Sequence, residues 1–235
     1  MAPTPVPEPE WPVPRLSLRI EDLAHPGASI FLEAVNPLKA LRAAVIASFT
    51  WLYTPATVPK KLAHSSCPRH AVHTLTLILR HMPGVAHATG GVNNKEIHFS
   101  LDYIAKSAGR ARHEIQGVLT HETVHCFQYN ALDSCPGGLI EGVADYVRLR
   151  TGFDPPHWKQ KGGDDWDAGY ETTAYFLAWL EERYGDGTVQ ELNARLNGVP
   201  YDARIFKRTT GRPVAKLWRI YCAHLEERGS QQRVD

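Results

Sequence analysis

Alternation of polar and apolar residues marks three segments in the first half of the chain as β-strands. They are "RLSLRIE" (15–21), "HTLTLILR" (73–80) and "EIHFSLDYI" (96–104). Successive side chains of a strand point to opposite faces, so a period of two is typical of a sheet with one buried face. Turns are predicted at Pro83-Gly84 and at Gly90-Gly91. The first half is therefore predicted to form a mixed sheet with helices.

Apolar residues recur at helical spacing in the rest of the chain. One helix is predicted to begin after Asn36, an N-cap residue followed by Pro37 in the first helical position. Later helices are predicted at "EIQGVLTHETVHCFQYN", "GGLIEGVADYVRLRTG", "GYETTAYFLAWLEERYG", "DGTVQELNARLNG" and "PVAKLWRIYCAHLEER". Strands followed by helices indicate an α+β fold.

The length of 235 residues suits one domain. We expect a single α+β domain over residues 15–228, with a sheet-rich lobe at 15–112 and a helical lobe at 113–228. The proline-rich segment 1–14 is expected to be a flexible arm, and 229–235 a flexible tail. Neither has the apolar content that would offset the entropy of ordering it.

The charge balance and the first residues limit the class of partner and the compartment. The formal net charge is +1, with 26 Lys and Arg against 25 Asp and Glu, which argues against nucleic acid or a membrane as partner. We expect a monomer. The start "MAPTPVPEPEWPVPR" contains acids and no apolar core, unlike a secretory leader. The expected protein is either cytoplasmic or a leaderless or mature form of a secreted one.

The sequence "HETVH" places two histidines one helical turn apart, with a glutamate after the first. Residues i and i+4 of a helix lie one above the other, so His121 and His125 can reach one metal ion. Glu122 lies beside that pair, where it can act as a general base without being a ligand. Zinc is the favoured ion, although imidazole and carboxylate also suit cobalt, nickel or iron.

A catalytic zinc has three protein ligands and one open position, so a third ligand is required. Glu141 is the candidate, because the "DSCPGG" turn allows the next helix to fold back on the first. Asp145 lies one turn further on the same face and is predicted to hydrogen-bond a ligand imidazole. The alternative is that both acids lie on a solvated helix edge near its N-terminus, a position that favours acids.

Three motifs in order resemble the basic secretory protein family of plants, with its bacterial and fungal relatives. They are "VLTHETVHCFQYN", "PGGLIEGVADYVRLRTG" and "WDAGYETTAYFLAWLEERYG", and the likeness runs from about residue 72 to about 196. The resemblance implies a zincin-like fold and a zinc peptidase with a glutamate as third ligand. It implies His121, His125 and Glu141 as ligands and Glu122 as the base.

Hydrolysis also needs a donor for the oxyanion of the tetrahedral intermediate. Tyr170, which follows a glycine at the start of a predicted helix, is the first candidate, with an ordinary core tyrosine as the alternative. His157 in "PPHW" is the second candidate. The segment 96–104 is predicted to form a sheet edge beside the active-site helix, where an extended peptide can add as a strand. The resulting hypothesis is a zinc-dependent endopeptidase. A zinc amidase with a small or dedicated substrate and a catalytically silent binding or defence protein are the alternatives.

Overall fold

The N-terminal half of the computed structural model, which describes residues 10–59 and 71–231, contains a four-stranded mixed sheet. The strands are β1 (Arg15–Ile20), β2 (Thr74–Arg80), β3 (Ala86–Gly90) and β4 (Asn94–Ser100). Their order is β1-β2-β4-β3. Strands β1, β2 and β4 are parallel, and β3 is antiparallel to β4 at one edge. The predicted mixed sheet is confirmed.

The predicted strand over 96–104 is wrong in its second half and in its position. The Ser100 hydroxyl accepts a hydrogen bond from the backbone N–H of Tyr103 and caps a helix that begins at Leu101. Strand β4 lies between β2 and β3, so it is an inner strand. The edge on that side of the sheet is formed by β3, whose sequence "AHATG" lacks the β-branched alternation that marks β2.

Nine α-helices surround and extend this sheet in the described residues. They are α1 (Pro26–Ala34), α2 (Pro37–Leu52), α3 (Leu101–Lys106), α4 (Ala111–Phe127), α5 (Gly137–Arg150), α6 (Tyr170–Tyr184), α7 (Thr188–Arg195), α8 (Arg204–Thr210) and α9 (Val214–Gln231). Asn36 caps α2 through its side chain, which accepts from the Lys39 N–H at 3.0 Å. The α+β layout with a helical C-terminal lobe is confirmed, whereas α1, α3 and α8 were not predicted.

Helix α4 is held in the centre of the molecule by α2 and the sheet. One face of the sheet contributes buried side chains to the core, namely Leu75, Leu77, Leu79, Ile97 and Phe99. Each such side chain stabilises the fold by about 1.5–3 kcal/mol. Gln116 of α4 donates to the Ala40 carbonyl of α2 at 3.0 Å, which adds a polar tie between the two helices. Helix α4, which carries the "HETVH" motif, is therefore held in place by α2 and the sheet.

Two glycines bring α5 close to α6 and the loop before it. A Cβ on Gly138 would lie 1.7 Å from the Asp167 carbonyl oxygen, and one on Gly142 would lie 2.3 Å from Thr173. No other residue type fits these positions without a shift of the backbone or of Thr173. The close approach places the start of α6 beside the face of α5 that carries Glu141.

The ends of the chain lie partly outside the described residues. Trp11 packs against the core with its ring 5.9 Å from that of Phe49, and α9 continues to Gln231. Residues 1–9 of the proline-rich segment and 232–235 of the C-terminal segment fall outside the described ranges. Within the described ranges, no helix has the length and apolar character needed to span a bilayer.

Candidate metal centre and active site

His121 and His125 of α4 point their Nε2 atoms at a common point. The two nitrogens are 3.1 Å apart, and the rings are nearly perpendicular at 85°. The arrangement follows from their separation of four residues on one continuous helix. The predicted pair of ligands is therefore brought together.

Glu141 of α5 places its carboxylate beside these two nitrogens. Its Oε2 atom lies 3.2 Å from Nε2 of His121 and 3.7 Å from Nε2 of His125. Hydrogen bonds from His121 and His125 hold the pKa of the Glu141 carboxyl well below its usual range. The three side chains form a group that can hold a metal ion.

The spacing of these three atoms matches a tetrahedral site. Ligands about 2.0–2.1 Å from a tetrahedral ion lie about 3.3 Å from one another. The observed separations of 3.1, 3.2 and 3.7 Å bracket that value. Two imidazoles and one carboxylate are also a donor set found at catalytic zinc. The residues present thus fit a zinc ion in both chemistry and size.

Asp145 fixes the orientation of His121. Its Oδ1 atom accepts from Nδ1 of His121 at 2.6 Å, and the residue is only 2% exposed. In the neutral imidazole, a proton on Nδ1 leaves the lone pair of Nε2 for a metal. Burial lowers the pKa of His121, but the hydrogen bonds to Asp145 and Glu141 outweigh it and raise the pKa to about 10.

Gln128 plays the corresponding part for His125 and was not predicted from the sequence. Its amide nitrogen lies 2.9 Å from Nδ1 of His125, while its amide oxygen is buried without a partner. The nitrogen and the oxygen of a side-chain amide occupy equivalent positions, so turning the amide over exchanges them. With the amide turned over, the oxygen accepts from Nδ1–H, which satisfies the orphaned atom and frees Nε2 for a metal. In the sequence, the one indication of this role was that Gln128 lies three residues after His125.

Glu122 is buried beside the two histidines without being a member of the ligand group. It lines the cleft and is 7% exposed. Burial raises the pKa of its carboxyl, against the opposing effect of His121 and His125. A carboxylate with a raised pKa is a better proton acceptor, which suits a general base.

Tyr170 and His157 both line the cleft, and the geometry gives a specific placement for Tyr170. Its ring is parallel to that of His121 within 9°, at 6.4 Å between centroids. Its φ of 45° is in the left-handed region, which costs about 1–3 kcal/mol at a residue with a side chain. The negative charge of Glu141 is the largest cause of its raised pKa. The hydroxyl therefore remains a proton donor at neutral pH.

The cleft above these residues has a volume of about 800 Å³. Strand β3 contributes residues 86–88 to its wall, and Val85 precedes them there; α4, α5 and the segment before α6 complete the wall. The edge strand beside α4 is thus β3 rather than the predicted segment 96–104. Its outer backbone groups have no neighbouring strand in the described sheet.

A second group of possible ligands occurs at His25, His81 and Asp102. Nδ1 of His25 accepts from the Gly27 N–H at 3.0 Å and caps α1. A neutral imidazole that accepts at Nδ1 carries its proton on Nε2, so no lone pair is left for an ion. This group is a hydrogen-bonded cluster in which His81 donates to Asp102 at 2.7 Å.

Comparison with known proteins identifies the class and then the family. A family model described as "peptidase of plants and bacteria" matches residues 13–221. The chain thus belongs to a family of peptidases, a class of hydrolases. This is the basic secretory protein family, in agreement with the resemblance noted in the sequence. No curated protein and no solved structure gave a match.

Proposed function

We propose that this protein is a zinc-dependent endopeptidase. The observation that carries the proposal is the convergence of His121 Nε2, His125 Nε2 and Glu141 Oε2 within 3.7 Å, beside a buried glutamate. The membership of a peptidase family supports hydrolysis of peptide bonds.

His121, His125 and Glu141 hold the ion, and Asp145 and Gln128 orient the two imidazoles. A zinc ion bound there supplies Lewis acidity, which makes a water more acidic and a carbonyl more electrophilic. Glu122 takes a proton from the attacking water on a carboxylate oxygen and later delivers it to the leaving amine. Its burial favours this exchange, since a buried carboxylate is more basic than an exposed one.

Tyr170 is the proposed oxyanion donor. Its hydroxyl is protonated at neutral pH, and its ring lies over the His121 side of the ligand group. The close approach of Gly138 to Asp167 positions the backbone at the start of α6, while the Tyr170 side chain is 55% exposed and faces the cleft. A donor that is already in place stabilises developing charge without reorganisation.

The free edge of β3 favours an extended peptide as the substrate. A peptide that adds to an edge strand gains backbone hydrogen bonds that are independent of its sequence. Residues 85–88 line the cleft, so such a peptide passes over the ligand group. A small amide would gain none of these contacts, which is why the endopeptidase is preferred to an amidase.

Metal content and cleavage, measured together, test the proposal. We expect one zinc per chain in protein purified without chelator, and a strong loss in Glu141→Ala. Glu122→Gln is expected to keep the zinc and to lower kcat by about 10²–10⁴-fold. The matched control is Glu182→Gln, an exposed glutamate on α6 that should leave both unchanged.

Two outcomes would refute this function. One is a wild-type protein that binds no metal after incubation with zinc. The other is a Glu122→Gln protein that hydrolyses a peptide library as fast as wild type. A library of mixed peptides and simple amides, analysed by mass spectrometry, separates a peptidase from an amidase.

A further inference from the structure

A cluster of charged side chains lines the cleft at the end away from the ligand group. It consists of Arg110, Glu114 and Arg148, with Tyr103 and Trp158 beside them, and is called the charged cluster below. None of these residues has a part in the proposed chemistry. The cluster therefore needs its own explanation.

Glu114 is the buried centre of the cluster. It is 3% exposed and accepts a hydrogen bond from the Tyr103 hydroxyl at 2.7 Å. Its carboxylate lies 2.7 Å from Nη1 of Arg110 and 3.4 Å from Nη2 of Arg148. Two guanidinium groups thus share one carboxylate, which leaves one positive charge in excess.

Arg148 is fixed in place. It is 7% exposed, donates from Nε to the Phe153 carbonyl at 2.8 Å and lies 5.4 Å above the ring of Trp158. Gly117 of α4 makes room for it, because a Cβ there would lie 2.6 Å from Nε of Arg148. Its guanidinium is a built part of the cleft wall.

Arg110 differs because 41% of its side chain is exposed. A guanidinium has five N–H donors in a planar fork that suits a carboxylate. The contact with Glu114 uses one edge of the group and leaves donors for a ligand in the cleft. Of the other acids in the cleft wall, Glu171 is paired with Lys161 at 3.0 Å, and the rest lie at the ligand group: Glu122, Glu141 and Asp145.

The distance to the ligand group is set by α4. Glu114 and His121 are separated by seven residues on that helix, which is about 10 Å along the axis. An extended peptide covers about 3.3 Å per residue. A carboxylate about three residues from the scissile bond therefore reaches the charged cluster.

We propose that the charged cluster is a substrate subsite that binds a peptide carboxylate about three residues from the bond to be cut. Arg110 makes the contact, and Arg148 and Glu114 hold it in position. The carboxylate is either that of an Asp or Glu side chain or that of a peptide C-terminus. This inference rests on the proposed peptidase function for the position of the scissile bond, but its binding step is measured separately.

Four fluorescent peptide sets distinguish the two sources of carboxylate. Each octapeptide carries either Glu or Gln at one internal position and ends in either a carboxylate or an amide, which gives four sets. Within each set, the Glu or Gln is moved through the internal positions. Equilibrium binding is measured by fluorescence anisotropy with zinc-incubated Glu122→Gln protein. Cleavage is measured by mass spectrometry with protein that retains Glu122. We expect the carboxylate forms to bind about tenfold more tightly at one position.

Substitution of Arg110 supplies the decisive comparison. Arg110→Gln is expected to reduce the preference to about twofold or less, and Arg110→Lys to retain part of it. The matched control is Arg112→Gln, which removes the same charge from an exposed residue two positions further along the chain and outside the cleft wall. Thermal unfolding of each variant shows that the fold is kept, and Arg110→Lys serves as the test if Arg110→Gln does not fold.

The possible results either support or contradict the proposed subsite. Three results would overturn the subsite. The carboxylate and uncharged peptides bind equally, neither binds, or the preference for a carboxylate survives Arg110→Gln. A preference lost in Arg110→Gln and kept in Arg112→Gln supports it. Cleavage without any carboxylate preference would leave the peptidase standing and remove the subsite. Binding preference without cleavage would support the subsite and count against the peptidase.

Discussion

Asp145→Asn is the perturbation that tests the proposed metal centre most directly without changing a proposed ligand. The Asp145 carboxylate accepts from His121 Nδ1 at 2.6 Å and is 2% exposed, so water cannot take its place. The amide keeps an oxygen that can accept the same hydrogen bond but removes the negative charge. His121 thereby becomes a weaker ligand while its position changes little.

The magnitude follows from that contact. Loss of a partner that orients a metal ligand weakens metal binding by about 10–100-fold, which is about 1.4–2.7 kcal/mol. The short distance and the burial place Asp145→Asn in the upper part of this range. Asp145→Ala should weaken zinc binding further, because it also leaves Nδ1–H of His121 without an acceptor.

The assay is competition for zinc with a chromophoric chelator at fixed pH and ionic strength. Asp164→Asn, the same change at an exposed residue, is the control and should bind zinc like wild type. Thermal unfolding of the metal-free proteins checks that each variant folds. An affinity of Asp145→Asn within twofold of wild type would show that the carboxylate does not support the ligand and would refute this reasoning.

Three further predictions concern stability and reactivity. Zinc at about 100 times its Kd should raise the melting temperature by about 5–10 °C in a fluorescence scan, and a chelator should abolish the rise; equal curves would contradict the site. Gly138→Ala should destabilise the protein by about 1–3 kcal/mol in urea, because its Cβ meets the Asp167 carbonyl. Gly137→Ala, with open space around its Cβ, is the control and should not destabilise it. Burial raises the pKa of the Cys126 and Cys135 thiols to about 12, so iodoacetamide at pH 8 should modify them only after unfolding, and labelling of the folded protein by mass spectrometry would disprove this.

The parts of the centre that could be predicted from the sequence depend on helical periodicity. His121 and His125 are one turn apart on one helix, as are Glu141 and Asp145 on the next. A short connection makes two helices antiparallel neighbours, so the facing residues meet. These relations are local, and a pattern of residues is sufficient to find them.

The parts that were missed depend on contacts between distant elements or on weak local signals. Residues 101–104 continue the alternation of β4, and only the cap at Ser100 ends the strand. The short strand β3 owes its place to pairing with β4, and its composition does not mark it as a strand. Gln128 shows its role only through a distance of 2.9 Å to a ring nitrogen. The charged cluster joins α3, the start of α4 and the end of α5, and no spacing in the sequence links these.

The two ends of the cleft share one structural cause, which is the register between α4 and α5. Glu141 and Arg148 are seven residues apart on α5, and His121 and Glu114 are seven residues apart on α4. Both pairs are in contact, at 3.2 Å for Glu141 with His121 and at 3.4 Å for Arg148 with Glu114. A slip of one residue turns a helix by about 100° and would break both contacts at once. Displacement of α5 should therefore weaken metal binding and carboxylate preference together, whereas substitution of Arg110 should change only the second.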